Sequence, residues 1–79
     1  MNELINPGKF QPAVSKVRPM YRPKYYLAGL VIGGQVRVPL HAKHRKTFTE
    51  ALNHSNRLLA YLQVRYEREL ARMVGEVHA

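Results

Sequence analysis

Cysteine, tryptophan and aspartate are missing from this chain of 79 residues, and no acidic residue lies between Leu4 and Thr49. Without cysteine there is no disulfide framework and no thiolate metal site. His41 and His44 are three residues apart, but no third ligand is clustered with them, so we expect neither a metal nor another cofactor. Paired carboxylates, a glycine-rich phosphate loop and a Ser-His-acid pattern are also missing. We therefore expect that the protein is not an enzyme.

Long hydrophobic runs are missing as well. The longest apolar stretch, residues 27–34, is far below the roughly 20 residues of a membrane span. The N-terminus reaches Asn6, Pro7 and Gly8 before any apolar region that a signal peptide would need. We expect a soluble, cytoplasmic protein that does not bind a membrane.

Positive charge is the main feature that is present. The chain has 13 Lys and Arg against 5 acidic residues, for a net charge of +8. The acid-free stretch alone contains Lys9, Lys16, Arg18, Arg22, Lys24, Arg37, Lys43, Arg45 and Lys46. Because such a segment repels itself, an anionic partner is expected. Nucleic acid fits best, with DNA favoured over RNA, and DNA binding would place the protein on the nucleoid.

Residues 1–24 are predicted to form a basic, proline-rich arm that precedes a hairpin and helix domain in residues 25–79. Four of the 5 prolines lie in the arm, and proline disfavours regular structure there. Lys16, Arg18, Arg22 and Lys24 would reach into the minor groove of DNA. In the alternative, residues 13–17 form a third strand, and the charges only protect an exposed sheet edge.

A β-hairpin is predicted for residues 25–40, with Gly33 and Gly34 in a type I′ turn. This turn pairs Ile32 with Gln35, Val31 with Val36 and Leu30 with Arg37. The predicted core face carries Leu27, Gly29, Val31, Val36, Val38 and Leu40. The opposite, mixed face carries Tyr26, Ala28, Leu30, Ile32, Gln35 and Arg37.

A long amphipathic helix is predicted for residues 48–74, capped by Thr47 with Glu50 and terminated by Gly75. At about 40 Å it is longer than a hairpin can cover. The uncovered half of its apolar stripe therefore predicts a homodimer. The side chains expected at that interface are Leu59, Leu62, Tyr66, Leu70 and Met73.

A basic stripe runs along another face of the same helix, and it consists of Arg57, Tyr61, Arg65, Arg68 and Arg72. His54 lies in the same wedge. The stripe is interpreted as a phosphate-binding face, although Glu69 could pair with Arg65 or Arg72 and leave an ordinary solvated surface. Lys43, Arg45 and Lys46 precede the helix N-terminus, where exposed amide groups attract phosphate.

The hairpin, its basic exit and the residues Phe48, Thr49, Glu50 and Ala51 at the start of the helix resemble the AP2-type DNA-binding modules at the N-terminus of many phage integrases. The resemblance covers about residues 24–60. It implies a three-stranded sheet backed by one helix, with Gln35 and Arg37 on the face that enters the major groove. This chain has no Trp and a longer helix than the family pattern.

Together these patterns predict an α+β fold, in which a β-hairpin or small three-stranded antiparallel sheet packs on one long C-terminal helix. The first predicted function is a small DNA-binding accessory or regulatory protein, of the kind that phages and mobile elements encode. The alternative is a protein-interaction module or inhibitor that docks on an acidic surface of a larger protein or ribonucleoprotein. Its interface would be Tyr26, Leu30 and Ile32, because exposed apolar patches mark binding sites.

Overall fold

The computed structural model describes the backbone of residues 6–78 and the side chains of residues 6–75. A short 3-10 turn at Pro7–Lys9 leads into three strands, β1 (Gln11–Val17), β2 (Tyr25–Ile32) and β3 (Gln35–Arg37), and one helix, α1 (Phe48–His78), follows. The strands form an antiparallel sheet in the order β1-β2-β3. The predicted α+β fold, with a three-stranded sheet on one long C-terminal helix, is confirmed.

The hairpin between β2 and β3 follows from its turn residues. Gly33 and Gly34 have φ angles of 60° and 80°, which a type I′ turn requires and which glycine adopts without steric cost. The predicted pairs Ile32 with Gln35, Val31 with Val36 and Leu30 with Arg37 are all present. The turn therefore sets the register of β3 against β2.

The third strand comes from the segment that was expected to be an irregular arm. β1 pairs with β2 along its whole length, from Gln11 opposite Val31 to Val17 opposite Tyr25. The expectation of an irregular arm is wrong for these residues, and the alternative of a third strand is confirmed. Pro12 is tolerated because β1 is an edge strand, where a missing N–H need not break a ladder.

The two faces of the sheet are the reverse of those predicted. Ala28 and Leu30 are 1% and 7% exposed, whereas Val36 and Leu40 are 54% and 98% exposed. The helix thus covers the face that includes Tyr26, Ala28 and Leu30, here called the helix-side face, and the opposite face, here called the free face, includes Leu27 and Val31. Both faces are apolar, so the alternation of side chains along the strands does not identify the buried face. The small side chain of Ala28 lets the helix approach the sheet closely. Leu30, predicted to lie at a partner interface, is buried in the core instead.

The helix is held against the sheet at two small, fully buried residues one turn apart, Ala51 and Ser55. The N–H of Gly29 donates to the Ser55 hydroxyl at 3.1 Å. The same hydroxyl donates to the carbonyl oxygen of Ala13 at 2.6 Å and lies 3.1 Å from that of Ala51. Because Ala13 and Gly29 are opposite each other in the β1-β2 ladder, Ser55 links both strands to the helix.

The connector, residues 38–47, continues from β3 along β2 in the antiparallel direction. A Cβ on Gly29 would lie only 2.7 Å from the carbonyl oxygen of Arg37 and 3.1 Å from the Val38 side chain, so glycine is needed where the chain crosses the free face. Arg45 then pairs with Tyr26 through two backbone hydrogen bonds of 2.8 Å. The His44 ring stacks on Tyr25, with 3.8 Å between the ring centroids. The connector thus continues the sheet beyond the end of β3.

The helix extends far beyond the sheet. Its 31 residues span about 46 Å at 1.5 Å per residue, whereas the 8 residues of β2 span about 26 Å. Phe48 contacts Tyr26 edge to face, and Ser55 contacts Gly29, so the helix runs along β2 and its C-terminal half projects past it. Gly75 does not end the helix as predicted, because an internal glycine costs only about 1 kcal/mol and does not force a break.

Candidate nucleic-acid interface

Strand pairing collects cations from two distant segments at one end of the sheet. Lys16, Tyr26 and Arg45 are neighbours across three adjacent chain segments. The loop between β1 and β2 extends from this end, and the connector passes beside it. The cations placed here, called the basic end below, are Lys16, Arg18, Arg22, Lys24, Lys43, Arg45 and Lys46. Apart from Arg45, all of them are exposed, and the sequence provides no carboxylate in either segment.

The loop between β1 and β2, residues 18–24, presents two large apolar side chains to solvent. Met20 is 85% exposed and Tyr21 is 91% exposed. Pro19 and Pro23 restrict the backbone on either side of them, and Arg18 and Arg22 precede the two prolines in the sequence. The tip of the loop is therefore apolar with positive charge close to each side, a combination that the fold itself does not require.

The N-terminus of α1 lies at the same end of the sheet. The Thr47 hydroxyl accepts a hydrogen bond of 3.2 Å from the Glu50 N–H, which confirms the predicted N-cap. Lys46 directly precedes the cap. The positive end of the helix dipole therefore adds to the potential of the basic end.

Beside this terminus, two side chains leave buried nitrogen atoms without a partner. Among the described residues, neither Arg45 Nε nor His54 Nδ1 has a hydrogen bond. The pKa of His54 is lowered from its usual 6.5 by burial first, and then by the positive charges of Arg45, Arg57 and Lys43. The connector and the helix thus bring four basic side chains close together.

The remaining predicted binding residues lie elsewhere. Gln35 and Arg37 are exposed, but they pair with Ile32 and Leu30 and so share the helix-side face, because opposite residues of an antiparallel pair point to the same side. Their predicted position on an open reading face of the sheet is wrong. Arg57 lies beside His54, and Tyr61 is exposed one turn further along the helix.

The rest of the basic stripe is on the projecting half of α1. Arg65 is 17 residues beyond Phe48, or about 25 Å along the axis, and Arg68 and Arg72 are further still. Arg72 pairs with Glu69 at 3.2 Å, which is one of the two pairs that the alternative of a solvated surface allowed. The structure therefore separates these three arginines from the basic end.

Several residues of this region were not singled out as binding residues from the sequence. Met20 and Tyr21 are not among the predicted binding residues, and His54 was predicted only to lie in the same wedge of the helix as the basic stripe. For the loop, the signal available in the sequence was a pair of apolar residues, Met20 and Tyr21, between two Arg-Pro dipeptides. No sequence signal places His54 near Arg45, because their proximity depends on how the connector pairs with β2.

Comparisons of the chain with protein-family models, with curated proteins and with solved structures find no match. The resemblance to AP2-type modules therefore stays a prediction. Within residues 6–78, no helix has a stretch both long enough and apolar enough to cross a bilayer. In the same part of the chain, no three His, Cys, Asp or Glu residues are grouped as a metal site would require.

Proposed function

We propose that this protein binds double-stranded DNA through its basic end. The observation that supports this most is the joining of the β1-β2 loop and the connector at one place, with positive side chains from both and no acid from either. A duplex offers about one phosphate charge per 1.7 Å of axis, so a compact group of exposed cations can contact several phosphates at once. Binding, rather than catalysis, is the proposed activity.

The β1-β2 loop is the part that we expect to enter a groove. Arginine side chains are attracted to the negative potential of a narrow minor groove, and proteins that bind there often insert an apolar wedge such as Met between base steps. Arg18 and Arg22 would supply the charge, and Met20 would supply the wedge. Tyr21 could stack on an exposed base or pack against a sugar.

The test compares two double variants of equal charge by fluorescence anisotropy with short duplexes, single strands and RNA. Arg18→Gln with Arg22→Gln removes two cations from the loop, and Arg65→Gln with Arg68→Gln removes two from the projecting helix. We expect the loop variant to lose more affinity. We also expect it to reduce the slope of log K against log salt by about two, since each phosphate contact contributes about 0.9. Equal losses from both variants would indicate diffuse charge attraction only.

The wild-type protein should also show the salt dependence of a phosphate-binding surface. If six to ten phosphates are contacted, raising the salt from 50 to 200 mM weakens binding by about 10³ to 10⁵-fold. Absence of duplex binding at 50 mM salt would reject the proposal. Stronger binding to single strands or RNA would keep the basic end but change its ligand. If DNA is the ligand, the protein is expected on the nucleoid.

A second candidate function is docking on an acidic protein surface, and the exposed apolar side chains favour it. The predicted interface at Leu30 is excluded by burial, but Val36 on the free face and Leu40 in the connector are exposed. A partner would then contact the free face, with cations at its rim. Val36→Lys should abolish this binding and leave duplex affinity unchanged or raised, because the new side chain is a cation, and this separates the two functions.

We also propose a homodimer formed through the projecting half of α1. Leu70, Met73 and Val74 are exposed large apolar residues there, and Leu62 and Tyr66 are only partly buried. About 20 Å of helix lies beyond the sheet, and packing against a second copy would bury it. Light scattering should give twice the chain mass for the wild type and the monomer mass for Leu70→Glu.

A further inference from the structure

We infer that Arg45 and His54, with Lys43 and Arg57, form a binding site for one phosphate-type oxyanion beside the N-terminus of α1. This binding site is called the seat below. This inference deepens the proposed function, since a DNA phosphate is the ligand that the basic end would bring there. It rests on that proposal only for the identity of the ligand. The seat itself is argued from the side chains that form it.

The first support is the pair of nitrogen atoms without a partner. Arg45 Nε and His54 Nδ1 are both out of contact with solvent and, among the described residues, accept or donate no hydrogen bond. Buried polar atoms in folded proteins are almost always satisfied, so each exception calls for a missing partner. An oxyanion supplies several acceptor oxygens. It can accept from the guanidinium and from a protonated imidazole together.

The second support is the charge around these atoms. The connector contributes Arg45 and Lys43, and the helix contributes Arg57, and each of these charges lowers the pKa of His54. No acidic residue lies between Leu4 and Thr49, and Glu50 is on the first turn of the helix, where it follows the Thr47 cap. The four basic groups therefore repel one another until an anion arrives.

The third support is the way in which the backbone fixes Arg45. Two hydrogen bonds of 2.8 Å pair its N–H and carbonyl with those of Tyr26. A cation that only needed to be solvated could lie anywhere in the connector. Among the described Lys and Arg residues, Arg45 is instead the one that is partly buried. It lies on the helix-side face with Tyr26, beneath the start of α1.

Because the anion favours the charged imidazole, binding and protonation of His54 are linked. Sulfate remains a dianion between pH 5 and 8, so it can probe the seat without titrating itself. We expect NMR titration of the His54 ring to show a higher pKa in sodium sulfate than in sodium chloride of equal ionic strength. Sulfate affinity should rise as pH falls, by at most about tenfold per pH unit for one linked proton.

Two substitutions of equal charge separate the seat from general attraction. Arg45→Gln should remove the effect of sulfate on the His54 titration, and its backbone pairing with Tyr26 needs no particular side chain. Lys9→Gln, an exposed cation before β1, should leave the effect intact. Should sulfate fail to raise the pKa of His54 in the wild type, or raise it equally in the Arg45→Gln variant, the seat does not exist.

A duplex experiment keeps the failure of the seat apart from the failure of the proposed function. In the wild type we expect duplex affinity to be about three- to tenfold higher at pH 5.5 than at pH 7.5. His54→Gln should remove that difference, whereas His41→Gln should keep it. Duplex binding that is the same at both pH values overturns the seat and leaves the function. A sulfate effect without duplex binding overturns the function and leaves the seat.

Discussion

Replacing Ser55 with alanine tests the central packing contact of the fold. The hydroxyl stands between the Gly29 N–H and the Ala13 carbonyl, 3.1 Å from one and 2.6 Å from the other. Ser55 is fully buried, so water cannot replace the lost oxygen without opening the structure. The Ser55→Ala variant therefore removes two buried hydrogen bonds, one to each of the paired strands β1 and β2.

The magnitude follows from these two groups. A buried hydrogen bond contributes about 0.5–1.5 kcal/mol, so two contribute about 1–3 kcal/mol, and alanine returns about 0.5 kcal/mol as a better helix former. We expect the free energy of unfolding to fall by about 0.5–2.5 kcal/mol. For a domain of this size the total is about 4–12 kcal/mol, so the variant should lose an appreciable fraction of its stability.

Urea unfolding followed by circular dichroism at 222 nm measures this loss. With a slope of about 1 kcal/mol per M for a small protein, the midpoint should fall by about 0.5–2.5 M. Asn56→Ala is the matched control, because Asn56 is exposed on the same helix and its replacement should change stability by less than about 0.5 kcal/mol. A loss below about 0.5 kcal/mol for Ser55→Ala, no larger than that of the control, would refute the bridging role of the hydroxyl.

Three further predictions concern the same fold. Gly29→Ala should destabilise the protein by about 1–3 kcal/mol in urea unfolding, because the new methyl group would contact the Arg37 carbonyl oxygen at 2.7 Å; an unchanged midpoint would contradict this close approach. Leu30→Ala should cost about 2–5 kcal/mol as a buried large-to-small change, whereas Val36→Ala, at an exposed site on the free face, should cost less than about 1 kcal/mol. Because the pKa of His54 is lowered in the folded state, its contribution to stability is complete above pH 6.5 and declines as the pH falls through the lowered value; His54→Gln should remove this component from a series of unfolding experiments between pH 5 and 8.

Features set by a few adjacent residues were predictable from the sequence. Gly33 and Gly34 required one turn type, and that turn set the whole register of β3. Thr47 capped the helix as expected because its hydroxyl acts only three residues away, on Glu50. In each case the deciding interaction is local, so no knowledge of the tertiary structure is needed.

Features that depend on distant segments were not predictable. Pro12 argued against a strand from local preference, yet β1 forms because β2 offers it a complete ladder. Which face of the sheet is buried depends on the side from which α1 packs. Leu27 and Val31 lie on one face and Ala28 and Leu30 on the other, and because all four are apolar, their alternation does not identify the buried face. Gly75 shows the reverse case, since its local preference for a helix end is weak beside the continuing hydrogen bonds of α1.

The candidate site combines both kinds of feature. Its cations could be identified one by one, because an excess of positive charge is visible in any sequence. Their assembly at one end of the sheet could not be predicted, because Lys16 and Arg45 come close together only when β1 and the connector pair with opposite edges of β2. The proximity of His54 to the cations of the connector depends on the same arrangement.

The fold does not account for the basic end. Arg18, Arg22 and Lys24 lie beyond the last ladder pair of β1 and β2, and their exposed side chains bury nothing in the core. Concentrating charges of one sign opposes folding through repulsion, and exposing Met20 and Tyr21 leaves apolar surface in contact with water. A sequence shaped only by stability would have little reason to keep either feature. An anionic partner with a groove removes both costs, because its phosphates neutralise the cations and its interior covers the apolar tip.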